Sequence, residues 1–318
     1  MKSKRSIMGY AALLIVLFHF YIPVFNNVAE TFIYRSAYIG VDLFFFVSAS
    51  SLSKKSQIDY LPFVANRFRA VYIPFVIFSV IAFVYKKWSF KRLLLTVCGA
   101  DFLKNGGGSF LWFVPGIMLF YLAAPAVCMV RKKFGLKSLP AFLLLWFAVC
   151  CILQYGFNYK KIFILLNRIP IFLAGIYYED FCGKRPEKFR IPADAFLLLS
   201  GVFLVYKFGI TVRLNKPLSD FYYIVSIPLI LAVAEIIELI CEKIKLVPLA
   251  FIGAFTFEIY ALQMIFGYDI ETWLLKISGN KIIAFSGVTV ILIILSYAFY
   301  SLKKLVLYSN KKLRSVFK

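Results

Sequence analysis

The only histidine of the chain, His19, lies inside the apolar run MGYAALLIVLFHF at residues 8–20, and Asp42 lies inside a second apolar run. Neutral imidazole can take a proton from a hydroxyl near pH 7, and a carboxylate on the other ring nitrogen holds it in the required tautomer. We therefore predict a general base, His19, oriented by Asp42. A packing histidine and a polar helix contact for Asp42 are the alternatives.

Three further polar residues lie within apolar runs: Arg168, Glu258 and Gln263. Polar groups at membrane depth are costly without a partner, so all three are candidates for a functional site. Arg168 is closely followed by Pro170, and it either serves the site or bridges a helix kink. Glu258 and Gln263 are five positions apart, so they face different sides of one helix and need not act together.

Membrane-crossing helices must position these groups. Of the 318 residues, 62% are hydrophobic and 16% are charged, which lies outside the range of soluble domains. A hydrocarbon core of ~30 Å takes ~20 apolar residues as a helix. We predict an all-α fold, a polytopic transmembrane helical bundle that forms a single domain over residues 1–318 with no separate soluble domain. About ten spans are expected, at residues 7–25, 37–52, 70–85, 109–130, 140–156, 161–179, 193–208, 220–241, 247–268 and 282–302.

The estimated depths of the two candidate residues agree. At ~1.5 Å per residue, His19 lies about 18 Å from the inner face if its span begins near residue 7. Asp42 lies about 8 Å from the outer face if its span begins near residue 37. On a ~30 Å slab the two residues are then within about 5 Å of each other in depth, so the pair is geometrically possible.

The positions of Lys and Arg predict the orientation. Most of the 37 positive residues fall in segments on the side of the N-terminus, including residues 131–137, so we expect a multi-pass protein of the bacterial plasma membrane with both termini in the cytoplasm. Residues 86–104 carry five positive charges on the opposite side. We expect residues 92–103 not to cross, but to lie on the membrane surface or dip into it.

The net charge of +22 does not indicate a nucleic-acid partner, because the positive residues flank the spans instead of forming one basic face. Anionic membrane lipids and an anionic substrate are the expected partners. The six cysteines show no CxxC spacing and lie mostly in apolar runs. We interpret them as small hydrophobic residues, with no disulfide framework and no metal site.

Five segments, in order along the chain, resemble the acyltransferase 3 family of ten-span membrane O-acyltransferases. The first is MGYAALLIVLFH, which ends at His19 and has the spacing of the family's opening RxxAxxxVxxxH helix. The others are GVDLFFFVSA at 40–49, NRFRAVYIPF at 66–75, LWFVPGIMLFYLAAP at 111–125 and TFEIYALQ at 256–263.

The resemblance implies a function. Members of the family commonly transfer an acetyl group from cytoplasmic acetyl-CoA to a hydroxyl of a cell-surface polysaccharide or glycolipid. It implies His19 as the base, Arg67 and Arg69 as ligands of the coenzyme A phosphates, and no permanently bound cofactor. Guanidinium groups suit phosphates because they bind two oxygens at once.

The chain departs from the family pattern at several places. Met8 stands where the family has an arginine, Arg69 is one place off the usual spacing, and Gln263 replaces a late histidine. Arg5 lies fourteen residues before His19, which is ~1,400° of helical rotation and nearly the same face, so it could replace the missing arginine. The alternative functions are a polysaccharide transporter or flippase, and a family member that has lost catalysis.

Overall fold

The structure, a computed structural model, describes residues 3–54, 58–182, 186–210 and 224–316, and these form helices and no strands. The predicted all-α fold class is therefore confirmed. The helices of the first half are α1 (Lys4–Phe20), α2 (Val28–Ser36), α3 (Ile39–Ser50), α4 (Tyr60–Arg67), α5 (Ile73–Tyr85), α6 (Phe90–Val97), α7 (Ala100–Asn105), α8 (Phe113–Phe134) and α9 (Leu139–Cys151).

The helices of the second half are α10 (Phe163–Leu166), α11 (Ile169–Ile176), α12 (Tyr178–Phe181), α13 (Arg190–Leu204), α14 (Ile227–Lys243), α15 (Val247–Ile252), α16 (Thr256–Leu262), α17 (Tyr268–Ser278) and α18 (Lys281–Val316). Turns of π-helix join or extend several of them, at Phe68–Tyr72, Ile152–Gly156, Val205–Ile210 and Gln263–Gly267. The beginning of the predicted span 220–241, residues 220–223, lies outside the described residues.

Within the described residues, five helices are long and apolar enough to cross a membrane, or six if the bent pair of α2 and α3 counts as one span. The five are Tyr60–Tyr85, Phe113–Gly156, Arg190–Phe208, Ile224–Lys243 and Lys281–Leu305. The count of ten spans stays a prediction. Part of the difference arises because Phe113–Gly156, with 44 residues, contains two predicted spans and is about twice the length that one crossing requires.

Helix α1 lies at the centre of the contacts that matter for the site. It packs antiparallel to α3, because Gly40 lies against the carbonyl oxygen of Ala11 while Ser51 accepts a hydrogen bond from the Lys4 ammonium. A Cβ on Gly40 would lie 2.5 Å from that oxygen, so only glycine permits this close approach. We call the two ends of the bundle the Lys4 end and the His19 end.

A second chain segment runs parallel to α1. Gly253, between α15 and α16, approaches the backbone of Arg5, and Gly267, just before α17, approaches the ring of Phe20. The fifteen residues from Gly253 to Gly267 thus follow the sixteen residues from Arg5 to Phe20. The segment 247–268 is broken at Phe255, between α15 and α16, instead of forming one continuous span.

The positively charged segment 86–104 folds as a hairpin that enters and leaves at one end of the bundle. The ring centroids of Trp88 and Phe110 lie 5.1 Å apart. Between them, α6 folds back along α5 far enough for the Tyr72 hydroxyl to donate to the Val97 carbonyl oxygen at 2.5 Å. Helices of eight and six residues are too short to cross a membrane. The choice between a segment on the membrane surface and one that dips into the membrane stays a prediction.

Candidate functional site

A fully buried ion pair joins α3 to the start of α11. The Nε of Arg168 donates to Asp42 Oδ1 at 2.8 Å, and the Ser226 hydroxyl donates to Asp42 Oδ2 at 3.0 Å. Asp42 is 0% exposed and Arg168 is 2% exposed. Both carboxylate oxygens therefore have partners, which explains how a charged group is tolerated in an apolar interior.

The other contacts of Arg168 extend this network. Its guanidinium carbon lies 5.0 Å from the ring centroid of Trp112, at the start of α8, and its Nη1 donates to the Ile164 carbonyl oxygen. A cation over an indole ring gains more when water is excluded. The ion pair thus ties α3, α8, α11 and the residue preceding α14 together, and Arg168 does more than bridge a kink.

The predicted hydrogen bond between Asp42 and His19 is wrong. Gly40 lies level with Ala11 and Ile15, and α3 runs from there toward the Lys4 end. Asp42 is therefore near the level of Ala11, about eight residues or ~12 Å along the axis of α1 from His19. The depth estimate failed because α2 precedes α3, so α3 begins inside the bundle and not at its outer face.

His19 has a different orienting group. Its Nδ1 lies 2.8 Å from the carbonyl oxygen of Ile15, one turn earlier in α1. A carbonyl oxygen can only accept, so Nδ1 carries a hydrogen, and the lone pair of the neutral ring is on Nε2. The side chain is exposed, with the rings of Phe18 and Phe20 beside it. Nε2 is therefore the ring nitrogen that can accept a proton.

A cavity of about 130 Å³ lies beside α1, toward the Lys4 end from His19. Side chains of α1, α3, α8, α16 and the π-turn before α5 line it, and most of them are apolar. Met8 and Ile15 are the α1 residues in its wall. Because the Ile15 carbonyl holds the His19 ring, the cavity ends about one helical turn from the candidate base.

Arg67 lies beside this cavity. Its guanidinium carbon is 5.3 Å from the ring centroid of Phe63 and 4.9 Å from that of Tyr121, and Tyr121 also lines the cavity. Arg67 lines an adjoining cleft of about 480 Å³ that includes Asp59 and Asn66. Aromatic faces therefore hold the guanidinium at the boundary between the cleft and the cavity.

Two lysines accompany Arg67 at the Lys4 end. The Lys4 ammonium donates to the Ser51 hydroxyl at 3.1 Å and interacts electrostatically with both Lys54 and Arg67. Lys54 also pairs with Glu179 at 3.4 Å. We call Lys4, Lys54 and Arg67 the basic cluster. Glu179 and Glu238 also act on the Lys4 ammonium and offset part of this charge. A phosphate among the three cations would lower their remaining mutual repulsion.

Residues 9–301, nearly the whole chain, match the acyltransferase domain of the acyltransferase 3 family. The chain belongs to the acyltransferase 3 family. It is therefore a membrane acyltransferase, and its apolar helices agree with that assignment. Searches of curated proteins and of solved structures found no match.

The structure shows what surrounds Met8, which stands where the family has an arginine. Met8 lines the cavity, but Arg5 is exposed and lines a different cleft of about 600 Å³. Arg5 therefore does not line the cavity in which Met8 takes the place of the arginine. Lys4 is the cation on the Met8 face, since residues four apart lie above one another on a helix.

The two arginines that the family pattern groups together are separated. Arg67 is half-buried in the site, whereas Arg69 is exposed and lines neither the cavity nor the adjoining cleft. Residues two positions apart lie on nearly opposite sides of a helix, so the two guanidinium groups diverge. Of the two arginines predicted as ligands of the coenzyme A phosphates, Arg67 alone lines the cleft beside the cavity.

Glu258 and Gln263 do not form one cluster, as their spacing predicts. Glu258 forms an ion pair with Lys303 of α18. Gln263 is 2% exposed, and neither amide atom has a hydrogen-bond partner among the described residues. An unpaired buried amide costs about 1–3 kcal/mol, so Gln263 is a place where a water or substrate group would be bound.

Four residues of this site were not predicted from the sequence: Lys4, Lys54, Trp112 and Ser226. The spacing of Lys4 from Met8 is a signal that was available, because i and i+4 share a face. Trp112 lies in the LWFVPG motif, but its contact with Arg168 depends on how distant segments pack. No local pattern marks Ser226.

Proposed function

We propose that the protein transfers an acetyl group from acetyl-CoA to a hydroxyl group of a cell-surface polysaccharide or glycolipid. The observation that carries this proposal is the placement of one cavity between the basic cluster and His19. A phosphate-bearing acyl donor and a general base for a hydroxyl are the two requirements of O-acyl transfer from a coenzyme A thioester.

The basic cluster would bind the phosphates of the acyl donor. Arg67 offers a planar fork that matches two phosphate oxygens, and Lys4 and Lys54 add positive charge nearby. From Lys4 to His19, α1 rises by about 22 Å. Only a long, thin molecule can have its phosphates at one end and its reacting carbonyl at the other, and the arm of coenzyme A has that form.

The reaction then requires one proton transfer at His19. Nε2 accepts the hydroxyl proton while the hydroxyl oxygen attacks the thioester carbonyl carbon, and the Ile15 carbonyl stabilises the charged ring through Nδ1. The tetrahedral intermediate collapses by breaking the carbon–sulfur bond. The thiolate of coenzyme A leaves and takes the proton, and the acylated hydroxyl remains as an ester.

The function is tested by comparing cells with and without the protein. We expect the O-acetyl content of the surface glycan, measured by mass spectrometry before and after mild alkaline hydrolysis, to fall when the protein is absent. Wild-type protein should restore it, and a His19→Gln variant should not. Unchanged O-acetyl content in the absence of the protein would exclude the proposed acceptor, acyl group or both.

Arg67→Ala should raise the apparent KM for acetyl-CoA roughly 10- to 100-fold with a smaller change in kcat. The reason is that a charge-assisted phosphate contact contributes about 1.5–3 kcal/mol, and the contact exists before and during the reaction. Initial rates at varied acetyl-CoA and fixed acceptor measure this change.

Arg69→Ala is the matched control for Arg67→Ala, because Arg69 is exposed and lines neither the cavity nor its cleft. We expect its KM for acetyl-CoA to stay near the wild-type value. An unchanged KM in both variants would mean that the two arginines only anchor the helix at the membrane surface. An equal rise of KM in both would contradict a role that is specific to Arg67.

A further inference from the structure

A second cationic cleft lies at the Lys4 end, away from the cavity that Met8 lines. Its volume is about 600 Å³. Three cations line it from three separate segments, Arg5 at the start of α1, Lys245 just before α15, and Lys304 in α18. Arg5 was expected at the acyl-donor site, so its presence here needs a separate explanation.

The cations of this cleft have no acidic partner in the part of the chain that the structure describes. No lining residue is Asp or Glu, and none of the ion pairs includes Arg5, Lys245 or Lys304. Lys304 lies over the Tyr300 ring at 4.6 Å. Three like charges around one cleft repel each other, and an anionic ligand would remove that repulsion.

The nearby acidic residues are already engaged. Glu242, three positions before Lys245, accepts from Arg190 at 2.9 Å. Glu258 is paired with Lys303, the neighbour of Lys304. Glu238 accepts from the backbone N–H of Ser3, which lies in the cleft wall, at 3.1 Å. With this carboxylate counted, the three cations still leave a net positive charge at the cleft.

The position of the cleft at the ends of two membrane spans indicates which kind of anion it binds. Two candidate membrane spans, Ile224–Lys243 and Lys281–Leu305, end beside it, so it lies where the spans meet the headgroup layer. Its remaining wall is largely apolar, with Val247, Ala250 and Phe251. A soluble phosphate would gain nothing from that surface, whereas the glycerol and upper acyl carbons of a lipid would cover it.

We propose that this cleft binds the headgroup phosphate of an anionic phospholipid. Arg5, Lys245 and Lys304 contact the phosphate, and the apolar wall contacts the start of the acyl chains. The site is distinct from the acyl-donor site, because Arg5 does not line the Met8 cavity. The bound lipid joins α1, which carries His19, to α15 and α18.

Native mass spectrometry of the full-length protein, titrated with phosphatidylglycerol in detergent, tests the proposal. We expect one saturable phosphatidylglycerol molecule on the wild type and weaker binding of phosphatidylcholine. The triple variant Arg5→Gln, Lys245→Gln, Lys304→Gln should bind phosphatidylglycerol on the order of 100-fold more weakly, since each juxtamembrane cation contributes about 1 kcal/mol.

A matched control removes three exposed cations from the other end of the bundle, with Lys91→Gln, Lys104→Gln and Lys276→Gln. This control loses the same charge and should bind phosphatidylglycerol like the wild type. The charge-keeping pair Lys245→Arg, Lys304→Arg should also retain binding, which guards against a folding defect.

Two results would overturn the lipid proposal. One is equal phosphatidylglycerol binding by the triple variant and the control. The other is displacement of the lipid by millimolar inorganic phosphate or coenzyme A, which would assign the cleft to a soluble phosphate. The proposal does not depend on the acyl acceptor, so it is tested separately from the enzymatic function.

Discussion

His19→Gln should lower the rate of acyl transfer by about 10²–10⁴, the loss that follows removal of a general base. Glutamine keeps a polar side chain of similar reach, but its amide cannot take a proton from the attacking hydroxyl near pH 7. The decrease should be in kcat, with the KM for acetyl-CoA nearly unchanged, because the basic cluster lies about 22 Å away along α1. Single-turnover transfer from radiolabelled acetyl-CoA in purified membranes measures it.

Folding should survive this substitution. His19 is exposed, and its one hydrogen bond is to the Ile15 carbonyl of its own helix. The neighbouring Phe18→Leu, also at an exposed position, serves as the control and should keep nearly full activity. Near-normal transfer by a well-folded His19→Gln protein would exclude His19 as the base, and the chemistry would have to use another group.

Asp42→Ala should destabilise the folded protein by about 3–5 kcal/mol, because it leaves the buried guanidinium of Arg168 without its counter-ion. The expected result is a lower thermal unfolding temperature in detergent and less protein in the membrane. Ser226→Ala removes a single hydrogen bond to the same carboxylate and should cost less, about 1.5–3 kcal/mol.

The double variant Asp42→Leu, Arg168→Met separates a structural role from a catalytic one. It removes both charges at once, so stability should recover most of what Asp42→Ala loses. Activity should recover with it if the pair only holds α3 and α11 together. An Asp42→Ala protein that is as stable as the wild type but inactive would contradict this and restore Asp42 as a participant in the reaction.

The residue at position 8 separates this chain from the family pattern. A methionine in the cavity wall cannot bind a phosphate, so the charge at this face comes from Lys4, one turn nearer the N-terminus. The acyl donor would then place its phosphates about 6 Å further toward that end than an arginine at position 8 would allow. The alternative of a family member without catalysis weakens accordingly, since the site retains the three cations of the basic cluster and a candidate base.

The sequence by itself determined the helical membrane fold and the family. Apolar runs of about twenty residues can only be helices in lipid, because each backbone polar group must find a partner within its own segment. The spacing of the motifs around His19, Asp42 and Arg67 was specific enough for the family, which the match over residues 9–301 confirms. The spacing of Glu258 and Gln263 indicated that they need not act together, and Glu258 pairs with Lys303 while Gln263 has no hydrogen-bond partner among the described residues.

Only the tertiary structure decided which polar residues meet. Asp42 pairs with Arg168, 126 positions away, and not with His19, because α2 shifts the start of α3 into the bundle. Arg5 lines another cleft than Met8, although both residues belong to α1. The rotation of each helix and the depth of its residues in the bundle depend on close contacts between distant segments, such as Gly40 against Ala11. Helical periodicity fixes the face of a residue on its own helix, but the partner across that face follows from the packing of the whole bundle.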